Sequence, residues 1–515
     1  MSLTSSAEAG NPLGTVVKYY LTLLHSYYMV ADTTGCVTEE MGSEPMAYPR
    51  LTIIDDRDAQ RVHDATVRVL DEAGVDILHE PTVELLRHAG ARVEGSRVRM
   101  APEMVASAIE SAPHAWPLPG RGDAAGIDLR QGNTYFGTGS DCLFVRDRAS
   151  KERRRVVLDD VQSMAVLADK LPNLDFVMSM GLPGDVDMAV DDLAPVAAML
   201  RGTGKPIIVA PKDGDAVEPI VEMARIAGEE KSVVIYSMPA PPLMHDADAI
   251  TKVVECAKRS VPLVYASAPS MGSTSPWSVA ATLVVGNAEI LSGLVVHQLV
   301  NPGAPFVYGT AFGVLDMALT VETYAAPEQL LTDHVGCEMA EFYGLPSFYY
   351  GAVSDSKVLD PQWAAESAVT AMLGAFSRGT LLHDVGYLES GMQSSHESIV
   401  LGDEVAGFAR AILREMSFED DGLAVDEILW AGPGGNHLAR KYTRQHYREM
   451  WRPTLFERAT YDRWMDETGG SDCLAKIRRR ADEILTEPWP LHVDDAASAR
   501  LDEVVAEVRR RRTAV

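Results

Sequence analysis

A chain of 515 residues, 46% apolar, 7% aromatic and 23% charged, has ample material for a large buried core, and roughly 100–200 residues per domain allows two or three folding units. The 74 acidic against 46 basic residues leave a formal charge of −28, which repels a phosphate backbone and excludes nucleic acid as a partner, because counterion release needs a basic patch. The five cysteines are scattered with neither CxxC nor Cys/His ligand spacing, so no disulfide framework and no directly bound metal are expected, and a reducing cytoplasm is the expected location.

Taken in chain order, residues 1–49 read as an extension, either disordered or upstream of the true initiator, with Met29, Met41 and Met46 as alternative starts. Its apolar run, 16–30, is too short and too polar to span a bilayer and lacks the flanks of a signal peptide. No later run reaches the roughly 18 uninterrupted apolar residues of a membrane span, so no membrane association is expected. Residues 50–130 read as a helical cap: Val62, Ala65, Val69 and Leu70 recur at helical spacing, 83–89 continues the pattern, 91–100 is ribbon-like, and 102–111 is a capped helix.

From 131 to 417 the pattern changes. Eight β-rich runs, at 134–137, 175–180, 206–210, 233–237, 262–266, 306–310, 347–352 and 380–385, each pass through a polar or glycine-containing turn. Helical patterns lie between and after them at 158–171, 216–228, 247–260, 277–300, 328–343, 362–376 and 401–416. Strand starts ~27 to ~44 residues apart suit a strand, a helix and a right-handed return, and eight such units predict a (β/α)8 TIM barrel. A doubly wound open sheet is the rival, but Gly137-Thr138-Gly139-Ser140-Asp141-Cys142 is only a GxG without the third glycine of a dinucleotide site. Residues 418–515 read as a helical extension outside or over the barrel, its Arg509–Arg512 tail a solvated helix end.

In such a barrel the loops after the strands build the site. They offer Asp141, Lys212, Asp213, Ser270, Met271, Thr310, Ser354, Asp355 and the stretch from His383 to Glu389. No HExxH, GxSxG or P-loop is present, so hydrolysis by zinc or by a nucleophile elbow has no support. Alternation sends Phe348 and Tyr350 to one side of their strand and Tyr349 to the other. Inward rings near the mouth suit a methylammonium cation, and equally suit barrel packing. Asp355 and Glu389 follow their strands closely enough to balance a cation or to cap the next helix. His383 reads either as a site residue or as a satisfied core histidine.

Five stretches in order carry a resemblance: Val307-Tyr308-Gly309-Thr310 with Asp316-Met317, Gly351-Ala352-Val353-Ser354-Asp355-Ser356-Lys357, Leu382-His383-Asp384-Val385-Gly386-Tyr387-Leu388-Glu389-Ser390-Gly391, Gly432-Pro433-Gly434-Gly435-Asn436-His437 and Trp451-Arg452-Pro453-Thr454-Leu455-Phe456. Across roughly 50–487 the chain resembles the trimethylamine methyltransferase (MttB) family of corrinoid-dependent methyltransferases. The resemblance implies a barrel that passes a methyl group from a methylated amine to a corrinoid (cobalamin) on a separate protein; barrels of this size often associate, so a homo-oligomer in the cytoplasm is expected. Members of the archaeal trimethylamine branch contain pyrrolysine and this chain does not, which turns the expectation toward the branch similar to glycine betaine:corrinoid methyltransferases. A quaternary ammonium leaves as a neutral amine without proton transfer, so positioning and desolvation suffice. On that reading Phe348 and Tyr350 form the cation cage, Asp355 and Glu389 balance charge, and Tyr308, His383 and Tyr387 orient substrate or corrinoid. Asp355, His383 and Glu389 are the expected catalytic set, and Lys357 and Lys212 are candidates for a substrate carboxylate. Another methyl acceptor such as a pterin, and a non-catalytic betaine-binding barrel, are the alternatives.

Overall fold

The computed structural model describes residues 49–489 and 491–514, so the expected extension over 1–49 lies, apart from Pro49, outside the described residues. Seven short strands run parallel in one curled sheet: β1 (Tyr135–Phe136), β2 (Ile207–Val209), β3 (Val233–Ser237), β4 (Leu263–Ser267), β5 (Phe306–Thr310), β6 (Ser347–Tyr350) and β7 (Leu381–His383). Their order is β1-β7-β6-β5-β4-β3-β2, so strands from β2 to β7 are neighbours in space as in sequence. Every residue of β2 to β7 is buried. Burial on both faces is why these strands read as continuous apolar runs such as Val233-Val234-Ile235.

The expected strand over 175–180 contracts to two bridging residues. Phe176 pairs with Gly137 beyond β1, and Val177 pairs with Ile207 of β2, both in parallel. Val177 N donates to Pro206 O at 2.9 Å and Ile208 N to Val177 O at 3.0 Å. A side chain takes over part of the ladder here: the Asp175 carboxylate accepts from Phe136 N at 2.8 Å and pairs with Arg410. Met180, at φ 56°, turns the chain away.

The expected helices form within about three residues of their expected limits, except that the one expected over 401–416 runs His396–Ile412, and several have side-chain caps: Ala249 N donates to Asp246 at 2.7 Å and Trp363 N to Asp360 at 3.0 Å. A helix not anticipated, Ala194–Gly202, has every residue but Arg201 buried, and an all-apolar helix shows no amphipathic period. Val279–Val300 is likewise mostly apolar, with no polar face turned to solvent as a stripe. It has the length and hydropathy to cross a membrane, but 72% of its most apolar window is buried inside the protein, between the sheet and the helices Asp56–Glu72 and Pro102–Ser111. The short strand Val75–Ile77 pairs with Arg97–Arg99 and with Met244–His245 beyond β3, tying the N-terminal helices to the sheet. In the C-terminal helix Asp495–Thr513 the arginine tail is not simply solvated: Arg512 pairs with Asp192 at 2.8 Å and Arg509 with Asp187 at 2.6 Å.

Candidate active site

A cavity of about 420 Å³ opens where the strands end, lined by residues that follow β1, β3, β4, β5 and β7 and by the last residue of β6. A larger one, about 790 Å³, lies at the opposite end beside the strand starts at Tyr135, Asp175 and Lys205. Lys205 there is bound to Ala168 O and Leu171 O, both at 2.7 Å, a structural arrangement.

Four phenols surround the strand-end cavity: Tyr236, Tyr324, Tyr350 and Tyr387. Tyr324 stands 5.0 Å from Tyr350 and 6.3 Å from Tyr387, ring centre to ring centre. Burial raises the pKa of all four well beyond the usual phenol range, so they stay neutral and present π faces. Beneath them the His383 ring stacks on Phe348, 3.7 Å between centroids and 9° between planes. His383 Nδ1 lies 2.7 Å from Asp384 Oδ1, but the angle does not make a hydrogen bond, and both ring nitrogens are buried without a partner. The other buried histidines with an unpartnered nitrogen, His297, His334 and His396, each keep the second one bonded, so His383 stands apart.

Three carboxylates face the same space: Asp141, Glu322 and Asp384. Asp141 accepts from Ser140 Oγ at 2.9 Å, and Glu322 from Ser270 Oγ at 2.6 Å. Asp141 presents its surface to the cavity yet is crowded by protein, and that desolvation, reinforced by the charge of Asp384, raises its pKa. Gln329 Oε1 and Thr323 Oγ1, also on the lining, are buried without partners. Among the described residues no group of three or more His, Cys, Asp or Glu is placed to hold a metal ion.

The backbone around the mouth is strained. Asp141, Met180, Ala352, Asp384, Glu389 and Ser390 all have φ between 51° and 67°, the left-handed region that costs a side chain-bearing residue about 1 kcal/mol or more. Such concentration marks a place where side-chain position outweighs local comfort.

Of the residues expected from sequence, Tyr350, His383 and Tyr387 line the cavity and Phe348 supports it from below. Tyr308 points the other way: it is buried toward the helices and donates to Asn287 Oδ1 at 3.0 Å, so it orients nothing in the cavity. Glu389 turns outward to pair with Arg153 at 2.9 Å. Asp355 holds the loops that close over the cavity rather than facing it. Its carboxylate accepts from Tyr324 N at 2.8 Å, Ala325 N at 3.2 Å and Ser390 Oγ at 2.7 Å. Lys357 is bound to Asp355 O at 2.7 Å and Lys212 to Asp191 at 2.6 Å, and neither reaches the lining. Tyr236, Glu322, Tyr324 and Gln329 were not anticipated. The signal for Glu322 and Tyr324 was the long connection from β5 to the helix Pro327–Phe342, since long structured loops tend to be functional.

The profile of the trimethylamine methyltransferase (MTTB) family matches residues 36–514. The chain is 30% identical over 469 residues to the glycine betaine methyltransferase of Desulfitobacterium hafniense strain Y51, covering 89% of this chain and 97% of that one. It is 28% identical over 464 residues to the trimethylamine methyltransferase MttB of Desulfitobacterium hafniense strain DSM 10664 / DCB-2, covering 88% and 93%. Among solved structures, the monomethylamine methyltransferase MtmB of Methanosarcina barkeri aligns over 88% of each chain with a TM-score of 0.50 and 13% identity, a likeness of fold.

Proposed function

Because the chain belongs to the trimethylamine methyltransferase family and is a methyltransferase, we propose that it transfers a methyl group from a quaternary ammonium compound, glycine betaine or one of similar size, to the cobalt of a corrinoid carried by a separate protein. The observation that carries this reading is the cavity itself, four neutral phenols around three carboxylates at the strand ends. A tetraalkylated nitrogen offers no hydrogen-bond donor, so ring faces and nearby carboxylates are the groups that hold it. Each ring face contributes about 0.5–2 kcal/mol.

The step is a displacement at a methyl carbon. The C–N bond breaks, its electron pair stays on nitrogen, and a neutral tertiary amine leaves while the carbon bonds to the cobalt nucleophile. No proton moves, so the step asks neither His383 nor the carboxylates of the lining to act as acid or base. The chain's own residues bind the cation, exclude water and fix the line of attack. A large acceptor fits the rim: Met317, Leu319 and Val321, close in sequence to Glu322 and Tyr324, and Trp277, which shares the space beside Gly272 with Met317, are 62%, 71%, 47% and 59% exposed, and exposed apolar clusters mark contact surfaces. In this reading the curled sheet is a closed (β/α)8 barrel, with residues 176–177 as the remaining stave, 50–130 as a helical cap and 418–515 as a helical extension. The protein works in the cytoplasm as a homo-oligomer.

Incubation with a reduced Co(I) corrinoid and a panel of methylated amines tests the reading by the corrinoid's absorbance. Quaternary ammonium compounds are expected to methylate it and trimethylamine is not; turnover with trimethylamine alone, or transfer only to a pterin, would sink it. Two substitutions divide the roles above. Asp355→Asn, which loses part of the clamp on Tyr324, is expected to slow transfer by about tenfold. Glu389→Gln, which removes a half-exposed ion pair, is expected to leave the rate within about twofold and to change stability by less than about 1 kcal/mol. Equal effects of the two would refute this division.

A further inference from the structure

We infer that the preferred substrate is a quaternary ammonium cation whose fourth substituent is uncharged, a short alcohol such as that of choline, and not a zwitterion bearing a carboxylate. This rests on the methyl-transfer reading and narrows it, and it separates the chain from what the name of its 30% identical relative says that protein acts on.

The charges on the lining carry the argument. Asp141, Glu322 and Asp384 face the cavity, and no lysine or arginine lines it among the described residues. A cation gains from all three carboxylates, whereas the acid group of a betaine would enter beside them with no opposite charge to meet it. The cations nearby are already engaged. Lys252 donates to Pro211 O at 3.0 Å, and Arg153 is spent on Glu389. Lys212 and Lys357 are held at Asp191 and at Asp355 O. Recognition of a carboxylate generally requires a guanidinium, an ammonium or several converging N–H groups.

The unpartnered polar atoms point the same way. Gln329 and Thr323 are lining residues whose buried Oε1 and Oγ1 have no hydrogen bond, and Gln329 is only 1% exposed. A substrate hydroxyl both donates and accepts, so it satisfies the Gln329 amide in either orientation and the Thr323 hydroxyl as well. A carboxylate only accepts, so it can take the Thr323 hydroxyl proton but leaves Gln329 Oε1, as it stands, unpaired, and a buried polar atom without a partner costs affinity. The phenols hold the trimethylammonium head, and the polar patch from the β5 loop and the following helix takes the alcohol.

Calorimetric titration of the full chain with choline, tetramethylammonium and glycine betaine, paired with the corrinoid methylation assay on each, tests the inference. Choline is expected to bind and to react at least about tenfold better than glycine betaine, with tetramethylammonium between them. Glycine betaine as good as choline or better would overturn it. If none of the three binds or reacts, the quaternary ammonium reading itself falls, which is a distinguishable result. Glu322→Gln and Asp141→Asn, checked for native circular dichroism, are each expected to narrow the ratio of choline to glycine betaine by several-fold. A ratio unmoved in both folded variants would show that these carboxylates do not set the preference. Gln329→Leu is expected to weaken choline while sparing tetramethylammonium, and equal losses for both would remove the alcohol contact.

Discussion

Gly139→Ala is expected to lower methyl transfer by about 100-fold or more while the chain stays folded. A Cβ at this position would lie 2.3 Å from Asp384 Oδ1 and 2.3 Å from the ring of Tyr387. Neither can retreat easily. Asp384 is held at φ 67° in a turn where Val385 N donates to Gly137 O at 3.1 Å and Gly386 N to Ala352 O at 3.2 Å. Tyr387 is pinned at both ends: its hydroxyl donates to Ser140 O, and its carbonyl accepts from Trp363 Nε1 at 3.0 Å. The added methyl group therefore displaces a cavity carboxylate and a cage ring together, and displacements of about 1 Å at a reacting centre cost about that much in rate. Gly137→Ala is the control. Two residues earlier on the same face, its Cβ would meet the ring of Phe176 at 2.3 Å, in the core below the cavity. That variant is expected to lose about 1–3 kcal/mol of stability by overpacking and to keep most of its rate per folded molecule. Rates normalised to the folded fraction separate the two; equal loss of rate in both would show that Gly139 acts through packing alone.

The same pair of glycines shows how much could be read in advance. The sequence Gly137-Thr138-Gly139-Ser140-Asp141 announced a turn after a strand and nothing more, because what each glycine makes room for, Phe176 or Tyr387, lies 39 or 248 positions further along the chain. The sheet was legible because strands buried on both faces write themselves as apolar runs. Ala194–Gly202 was not, because burial on all sides erases the helical period by which helices are recognised. Tyr350, His383 and Tyr387, expected from their places at or just beyond strand ends, line the cavity. Tyr308 was expected there from its strand-end position and its motif, but its ring points to Asn287 on the helix Val279–Val300. Asp355 was rightly noticed but its work is indirect, and only the hydrogen bonds to Tyr324 N and Ala325 N reveal a clamp. Glu322, Tyr324 and Gln329 come from a loop and a helix that cross above the strands, so no rule about strand ends could reach them.

A second large effect is expected from Glu289, and it concerns stability against pH. This carboxyl lies inside Val279–Val300 and is fully buried. It accepts from Leu243 N at 2.6 Å and from Ser267 Oγ at 2.5 Å, joining the turn beyond β3 to the end of β4. Leu243 itself sits at φ 56°, and Met238 and Ala268, on the two segments so joined, line the cavity. Burial raises the pKa of Glu289 to about 7 from an ordinary value of 4.5, against the opposing pull of the two hydrogen bonds. Between those values the folded chain holds a proton that the unfolded chain has released. The stability it confers is therefore full below about pH 4.5, falls as pH rises, and is gone above about pH 7, a loss of roughly 3 kcal/mol across the window. Glu289→Gln keeps both contacts, with the amide oxygen accepting from Leu243 N and the amide nitrogen donating to Ser267 Oγ, but cannot ionise. In urea unfolding the variant is expected to match the parent near pH 5 and to exceed it by about 2–3 kcal/mol near pH 8, with methyl transfer retained because the clamp is intact. A stability difference of the same size at both pH values would mean that Glu289 does not titrate in this range. Glu289→Leu, which removes the clamp, is instead expected to lower transfer at every pH, because the turn beyond β3 then loses its tie to the end of β4.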